Sequence, residues 1–294
     1  MRILITGGEG QLGRALVRAL EGHDVLALGR ARLDVADERA TYDAIGEARP
    51  DVVVHTAALT DTTRCESDPA AAEAVNALGA RNVARACAAA GAMLIAVSTN
   101  EVFDGAQATP YAEDAAPNPV NAYGHSKLEG ERQAQREHRN TLIARTAWLY
   151  GDGAQNFVSK VLAAARAGRP LRFVTDEVAT PTSADDLAHA IRGLIERQAR
   201  PGIYHLTNAA AAPRYDWARE ILRLAGMADA AVEPITTAEL RARGYDGPRK
   251  PPYSVLANTR ARALGITLPD WREALAAHFA RTHGAAPQSV RNQA

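Results

Sequence analysis

The chain has 294 residues, and its 34 basic and 34 acidic side chains cancel to a net charge of zero. A chain of this length can bury a large core, while its balanced charge gives no bulk attraction to nucleic acid or to an anionic membrane. We therefore expect a small-molecule partner, with no nucleic acid and no membrane among the partners.

Cysteine usage and the N-terminus both favour the cytoplasm. The two cysteines, Cys65 and Cys87, have neither metal-binding nor redox spacing, which favours reduced, inert thiols. The chain enters an apolar strand directly at Arg2, without a signal-peptide pattern, and no stretch is apolar for long enough to span a bilayer. We expect a cytoplasmic protein.

The first half of the chain alternates short apolar runs with longer helical patterns. The apolar runs predict strands over residues 3–6, 24–28, 52–56, 93–98 and 141–145. Between them, helical periodicity predicts helices over residues 12–21, 38–48, 69–90 and 121–137. The run 52–54 is valine at every position, which is typical of a strand buried on both faces. This alternation predicts an α/β fold, a Rossmann-like doubly wound parallel sheet with helices on each side.

The second half of the chain is more irregular, because prolines interrupt shorter elements. Two amphipathic segments, 215–225 and 270–280, predict a smaller, partly helical C-terminal region over the ligand edge of the sheet. We divide the chain into a main domain over 1–150, a substrate-binding region over 151–283 with some segments returning to the main sheet, and a flexible tail over 284–294.

A glycine-rich turn follows the first predicted strand. Gly7, Gly10 and Gly13 form a G-x-x-G-x-x-G pattern, with Gln11 and Leu12 inside it. Glycines there allow a tight turn, close approach of the backbone to a pyrophosphate and close packing of helix on strand, and the helix N-terminus offers free amides to phosphate. The motif has the strand and helix context that it requires, so it predicts dinucleotide binding rather than a structural turn.

The end of the second predicted strand indicates which dinucleotide binds. NAD sites usually carry an acid about 20 residues after the glycines, whereas this chain has Arg30. A guanidinium suits a 2′-phosphate, so NADPH is favoured and residues 1–150 become an NADP-binding domain. An ordinary solvated arginine is the alternative, and acceptance of NADH stays open. Asp34 either receives a bond from the adenine amine or caps the helix predicted from residue 38.

Hydroxyl side chains end the fourth predicted strand. Ser98 and Thr99 precede Glu101 at the carboxyl end of the sheet, where ligands of open α/β folds bind. A hydroxyl there can bond both the Tyr123 phenol and a substrate carbonyl, with the capping of a turn as the alternative.

Tyr123 and Lys127 are four residues apart on the helix predicted over 121–137. Residues four apart share a helix face, so we expect the Lys127 ammonium to lower the pKa of the phenol from its usual value of about 10. The pair would then exchange a proton near neutral pH. A solvated helix face has the same spacing, but the chain has only three lysines, Lys127, Lys160 and Lys250, which favours a specific role for Lys127.

Together these motifs resemble an extended short-chain dehydrogenase/reductase and, more narrowly, the dTDP-4-dehydrorhamnose reductase family. The resemblance covers nearly the whole chain. It rests on residues 10–13, 98–99, 102–105, 123–127, 130–131, 145–151, 181–182 and 268–272. The Arg-Thr-Ala-Trp-Leu-Tyr-Gly stretch at 145–151 and the Leu-Pro-Asp-Trp-Arg stretch at 268–272 are the more specific parts.

The resemblance implies NADPH-dependent reduction of the C4 ketone of dTDP-4-dehydro-L-rhamnose to dTDP-L-rhamnose. Tyr123 would protonate the developing alkoxide, Lys127 would hold the nicotinamide ribose, and Thr99, with Ser98 as a substitute, would bond the carbonyl oxygen. The cofactor side would comprise Gly7, Gly10, Gln11, Leu12, Gly13, Arg30, Asp34, Val35, Ala57, Ala58, Tyr123 and Lys127. The side that binds the dTDP-sugar would comprise Thr60, Thr62, Ser98, Glu101 and Trp148.

Some positions depart from the family pattern. Asn100 and Glu101 stand where the family commonly has Asp-Tyr, and 250–254 reads Lys-Pro-Pro-Tyr-Ser in place of Arg-Pro-x-x-Ser. Asn100 falls on the acid position of related dehydratases, and an amide cannot donate a proton as an acid does. Asn76 resembles the asparagine that steadies the active-site helix, with a purely structural amide as the alternative. For Trp148 the alternative is a core aromatic.

Two other kinds of function stay open. The first is another nucleotide-sugar enzyme, either a different 4-ketoreductase or an epimerase or dehydratase that retains NAD. The second is a non-catalytic NADP-binding regulatory subunit like that of methionine adenosyltransferase, which resembles the same family; intact Tyr123, Lys127 and Thr99 argue against it. Some family members pair through magnesium, but no carboxylate cluster here has an identifying spacing, so we assign no metal ligand and leave magnesium and a homodimer open.

Overall fold

The computed structural model describes residues 1–153 and 155–283. The strands in chain order are β1 Arg2–Thr6, β2 Asp24–Leu28, β3 Val52–His55, β4 Met93–Thr99, β5 Thr141–Thr146, β6 Leu149–Tyr150, β7 Leu171–Val174, β8 Val178–Ala179, β9 Thr182–Ser183, β10 Gly202–His205, β11 Ala212–Pro213 and β12 Val232–Ile235. The α-helices are α1 Gln11–Ala19, α2 Glu38–Ala48, α3 Thr62–Ser67, α4 Pro69–Ala72, α5 Gly79–Ala90, α6 Ala122–Glu137, α7 Phe157–Arg166, α8 Ala184–Glu196, α9 Arg214–Leu224, α10 Thr237–Ala242, α11 Thr259–Ala263 and α12 Trp271–His283.

The main sheet is parallel, with the strand order β10-β5-β4-β3-β1-β2. The chain runs from β1 to the edge strand β2 and returns to β3 on the other side of β1, so the strand order reverses between β1 and β3. Ligands of open α/β sheets bind outside the carboxyl ends of the strands at such a reversal. The predicted doubly wound parallel sheet is confirmed, and β10 joins it beside β5 from the second half of the chain.

Both faces of the sheet are buried because side chains along β1 alternate between two cores. Ile5 packs with Leu16 of α1, whereas Leu4 packs on the opposite face with Ile45 of α2. Helix α8 shares the first core and α5 shares the second. This two-sided burial explains why the strands read as continuous apolar runs.

A separate core stabilises the smaller region. Trp217 of α9 and Trp271 of α12 are fully buried there, together with Tyr150. The predicted amphipathic segments form these two helices, so the partly helical second region is confirmed. The flexible tail predicted over 284–294 lies outside the described residues.

The helix predicted over 69–90 is not regular. Its path consists of α4, a π-helical turn over Glu73–Leu78, and α5. A π turn carries an extra residue and re-aims the side chains within it. Here the π turn contains the buried Asn76, whose side-chain amide is hydrogen-bonded to Leu59 and to Ser126. These contacts join segments that are distant in the sequence, so helical periodicity does not predict them.

No helix in the described part of the chain combines the length and the apolar character that a membrane span needs.

Candidate active site

A cleft of about 540 Å³ lies where β1, β3 and β4 end, and an adjoining cavity of about 430 Å³ shares its glycine turn. The cleft brings together Gly7, Gly10, Gln11, Leu12, Ala58, Thr60, Thr62, Ser98, Thr99, Glu101, Tyr123, Lys127 and Trp148. The adjoining cavity brings together Gly7, Gly10, Arg30, Asp34, Val35, Ala57 and Ala58. Of the predicted site residues, Gly13 alone lines neither space.

The glycine turn has the geometry that a dinucleotide phosphate requires. Gly7 adopts a φ of 69°, and a Cβ on Gly13 would lie 2.4 Å from the Gly7 carbonyl oxygen, so both positions need glycine. No side chain caps the N-terminus of α1 at Gly10. The first amides of this helix are therefore available to phosphate oxygens, which fits the dinucleotide prediction.

Gln11 ties the glycine turn to the smaller region. The Asn156 amide donates to Gln11 Oε1 at 2.9 Å, and Asn156 also caps α7 by accepting from the Ser159 amide at 3.2 Å. Helix α7 presents Phe157 and Lys160 to the cleft. The hydrogen bond between Asn156 and Gln11 thus joins the two walls of the cleft.

Arg30 lies in the open at the adjoining cavity. Its side chain is 75% exposed and its guanidinium lies 3.7 Å from the Asp34 carboxylate. The cap of α2 is Asp37, which accepts from the Ala40 amide, whereas Asp34 accepts from the Ala36 amide. Asp34 therefore shapes the preceding turn and does not cap the helix, and the Arg30 guanidinium has room for a phosphate.

The side chains of Ser98 and Thr99 contact different residues, because neighbouring residues of a strand face opposite sides of the sheet. The Ser98 hydroxyl donates to Glu131 at 2.5 Å. Glu131 also accepts two bonds from the Arg145 guanidinium, at 2.9 and 2.6 Å, and all three side chains are buried. Thr99 instead lines the cleft together with Tyr123, and its hydroxyl donates to Asn100 Oδ1 at 3.3 Å and accepts from the Glu101 amide at 3.2 Å.

Helix α6 brings Tyr123 and Lys127 to the same cleft. Asn121 caps the helix by accepting from the Gly124 amide at 2.8 Å. The Lys127 ammonium is buried and donates to the carbonyl oxygen of Val97 at 2.8 Å. The predicted helix and its shared face are therefore present, with Lys127 anchored to β4.

The prediction that the pKa of Tyr123 is lowered is wrong. Burial raises the pKa of Tyr123 above its usual value, the Glu101 carboxylate adds to the rise, and the neighbouring Thr99 hydroxyl opposes it only in part. Burial also lowers the pKa of Lys127 to about 8, against the opposing carboxylate of Glu131. The sequence pattern places a lysine near a tyrosine but does not record the loss of water around both. A phenol that stays protonated at neutral pH is suited to donate a proton.

Asn76 links the loop after β3 to the active-site helix. Its amide oxygen accepts from the Leu59 amide at 2.8 Å, and its nitrogen donates to the Leu59 carbonyl at 3.0 Å and to Ser126 Oγ at 2.9 Å. Ser126 in turn donates to the Tyr123 carbonyl oxygen at 2.8 Å. The Asn76 side chain therefore reaches α6 through the Ser126 hydroxyl.

Glu101 lines the cleft with its carboxylate already bonded to protein groups. It accepts from Lys250 Nζ at 2.9 and 3.0 Å and from Asn121 Nδ2 at 2.7 Å. The neighbouring Asn100 amide donates to Ser254 Oγ at 2.6 Å. Two adjacent residues at the end of β4 thus anchor the segment that contains Lys250 and Ser254.

Trp148 is both a cleft residue and an aromatic residue packed on a hydrophobic core, the two alternatives that the sequence left open. Its ring stacks on the buried Trp217 with 5.6 Å between the ring centroids, and it also lines the cleft. Its backbone φ of 43° is left-handed, a conformation that bulky residues rarely adopt and that clusters at functional sites. The Arg214 guanidinium lies 3.6 Å above the ring centroid.

Sequence reasoning missed Arg214, Lys160 and Lys250, which also line the cleft. The scarcity of lysine was a usable signal, because all three lysines of the chain line this one space. Arg214 has no such signal in an arginine-rich sequence. Within residues 1–153 and 155–283, no group of three or more His, Cys, Asp or Glu is placed to hold a metal ion.

Comparisons with known proteins show which family the chain resembles over its length. A family model described as the RmlD substrate binding domain matches residues 1–283. A dTDP-4-dehydrorhamnose reductase of Streptomyces griseus is 41% identical over 98% of this chain and 96% of that protein. A solved dTDP-4-dehydrorhamnose reductase of Clostridium acetobutylicum is 36% identical, covers 96% of this chain and 100% of that chain, and has a TM-score of 0.91. The solved dTDP-4-dehydrorhamnose reductase of Bacillus anthracis in complex with NADP is 33% identical, covers 96% of this chain and 99% of that chain, and has a TM-score of 0.90. The chain therefore belongs to the RmlD substrate binding domain family.

Proposed function

We propose that this protein is an oxidoreductase that uses NADPH to reduce the C4 ketone of dTDP-4-dehydro-L-rhamnose to dTDP-L-rhamnose. The observation that carries the proposal is the grouping of Thr99, Tyr123 and Lys127 in one cleft that includes a dinucleotide-type glycine turn. The names of the relatives support the same reaction.

The glycine turn and Arg30 would hold NADPH, which supplies a hydride to carbonyl chemistry when bound. Thr99 donates a hydrogen bond to the substrate oxygen, and this bond strengthens as negative charge develops there. Tyr123, which burial keeps protonated, delivers its proton to that oxygen. Lys127 holds a positive charge beside the site and stabilises the phenolate that remains.

The proposal assigns cofactor binding and substrate binding to different parts of the chain. Residues 1–150 bind the cofactor, and residues 151–283 complete the substrate side through Trp217, which stacks on Trp148, and through Phe157, which stacks on Trp217. The NADP complex of the relative from Bacillus anthracis supports NADPH as the cofactor. Use of NADH, a role for magnesium and a homodimer stay open.

The test is turnover of purified protein with NADPH and dTDP-4-dehydrorhamnose, followed by loss of cofactor absorbance and by the stereochemistry of the product. Tyr123→Phe should lower kcat by roughly 100-fold or more, because it removes the proton donor and leaves the ring. Tyr42→Phe, which alters an exposed tyrosine of α2, is the matched control. Full activity of Tyr123→Phe would show that the proton comes from another group.

The same assay separates the alternative functions. An epimerase or dehydratase would retain its cofactor and show no net NADPH consumption, and a regulatory subunit would show no turnover. The amide of Asn100, which donates to Ser254, cannot supply the proton that a dehydratase acid supplies. A panel of 4-keto dTDP-sugars would distinguish this substrate from those of other 4-ketoreductases.

A further inference from the structure

We propose that Arg214 is an anion-binding residue that recognises the diphosphate of the nucleotide sugar. The inference rests on the proposed function and deepens it, since it names the side chain that favours a nucleotide-linked substrate over a free sugar. Arg214 lies outside every motif that the sequence analysis identified.

Stacking fixes the position of the Arg214 side chain. It is the first residue of α9, and its guanidinium carbon lies 3.6 Å from the Trp148 ring centroid and 5.0 Å from that of Phe157. The side chain is 19% exposed and lines the cleft. A guanidinium stacked on aromatic faces keeps its N–H groups directed outward in its own plane, where they can meet a ligand.

The guanidinium has fewer partners than a buried charge normally has. It forms an ion pair with the Glu177 carboxylate at 3.9 Å, which is too long for a hydrogen bond, and among the described residues its side chain donates no hydrogen bond. Burial lowers the pKa of Arg214 to about 10, so the group remains charged at neutral pH. A guanidinium has five N–H donors, and buried charges are normally paired and hydrogen-bonded. An anionic ligand would satisfy these donors.

The charge of the cleft indicates where that anion comes from. Its charged lining comprises Lys127, Lys160, Arg214 and Lys250 with one carboxylate, Glu101, which Lys250 already neutralises. The phosphates of a dinucleotide have their own site at the glycine turn. The excess positive charge therefore suits the anion that arrives with the substrate.

Lys160 supplies a second cation to the same cleft. It follows Phe157 by three residues on α7, so the two side chains share a helix face. Arg214 stacks over the same Phe157 ring. Two cations that line one cleft suit a diphosphate, which carries charge on both of its phosphorus centres.

The direct experiment is calorimetric titration of the whole protein with dTDP, which carries the diphosphate without the sugar. Arg214→Gln should weaken dTDP binding by roughly 10- to 100-fold, the effect of losing charge-assisted hydrogen bonds. Arg219→Gln removes an exposed arginine from the same helix and should bind dTDP like the wild type. Thymidine, which lacks phosphate, should bind all three proteins equally.

Affinity for NADPH shows whether the effect is local. It should be unchanged in Arg214→Gln, which establishes that the variant is folded and that the anion is not a cofactor phosphate. If that variant does not fold, Arg214→Lys decides: it keeps the charge but loses the planar fork, so dTDP binding should weaken by roughly several-fold. Unchanged dTDP affinity in the folded variant, or parallel loss of NADPH affinity, overturns the inference.

Failure of the proposed function would appear separately. If the wild type binds dTDP through Arg214 but reduces no 4-keto dTDP-sugar, the reaction is wrong while the diphosphate site stands. If the wild type reduces such sugars and Arg214→Gln has the same KM for them, the reaction stands and the diphosphate site is wrong.

Discussion

The ammonium of Lys250 donates to both carboxylate oxygens of Glu101, at 2.9 and 3.0 Å, although 149 residues separate them in the sequence. The resemblance to the reductase family implies tyrosine and arginine at these two positions. The Lys250 and Glu101 side chains are only 18% and 11% exposed, so water screens the pair weakly. The pair ties the end of β4 to the segment that follows Arg249.

Lys250→Met should destabilise the fold, because it leaves the Glu101 carboxylate without its cation in a poorly solvated place. We expect the free energy of unfolding to fall by about 2 kcal/mol. Glu101→Gln in the same protein should restore most of the loss. Urea unfolding of the wild type, both single variants and the double variant measures the coupling directly, and purely additive losses would contradict the pairing.

Ser98 and Thr99 should respond differently to alanine although they are adjacent. Thr99→Ala should lower kcat by roughly 100-fold with little change in stability, because it removes a donor beside the Tyr123 hydroxyl. Ser98→Ala should lower the free energy of unfolding by roughly 1 kcal/mol with kcat nearly unchanged, because it removes a donor to the buried Glu131. Steady-state kinetics measures kcat and urea unfolding measures the free energy of unfolding for both variants. A larger loss of kcat in Ser98→Ala than in Thr99→Ala would contradict the assignment of the two hydroxyls.

Much of this architecture could be predicted because its signals are local. The strands β1 to β5, the glycine turn and the shared face of Tyr123 and Lys127 depend on spacing within short windows of sequence. The Lys250 and Glu101 pair and the stack of Arg214 on Trp148 depend on contacts between distant segments, which no local window records. The raised pKa of Tyr123 could not be predicted from a local window either, because it is caused by burial among residues from several elements.

The pH dependence of reduction should report Lys127. Its pKa is lowered to about 8 by burial, so the ammonium is charged below that value and becomes neutral as the pH rises through it. We therefore expect kcat/KM for reduction to fall above a pH of about 8. Tyr123 stays protonated across this range, and His55, whose pKa burial lowers to about 3, stays neutral.

Lys127→Arg supplies the control for this profile. Arginine keeps its charge throughout, so the fall near pH 8 should disappear even if the maximal rate is lower. Persistence of the same inflection in Lys127→Arg would assign it to another group. Stopped-flow measurement of single-turnover reduction at each pH distinguishes an effect on chemistry from one on product release.

Arg30 should determine the preference for NADPH over NADH. Its exposed guanidinium, 3.7 Å from Asp34, is available to a 2′-phosphate, whereas a 2′-hydroxyl offers it no charge. Arg30→Ala should raise the KM for NADPH by roughly 10-fold or more and leave the KM for NADH nearly unchanged. Arg32→Ala removes the same charge two residues later and is the matched control for a general electrostatic effect. Equal losses with both cofactors, or equal losses in both variants, would show that Arg30 does not contact the 2′-phosphate.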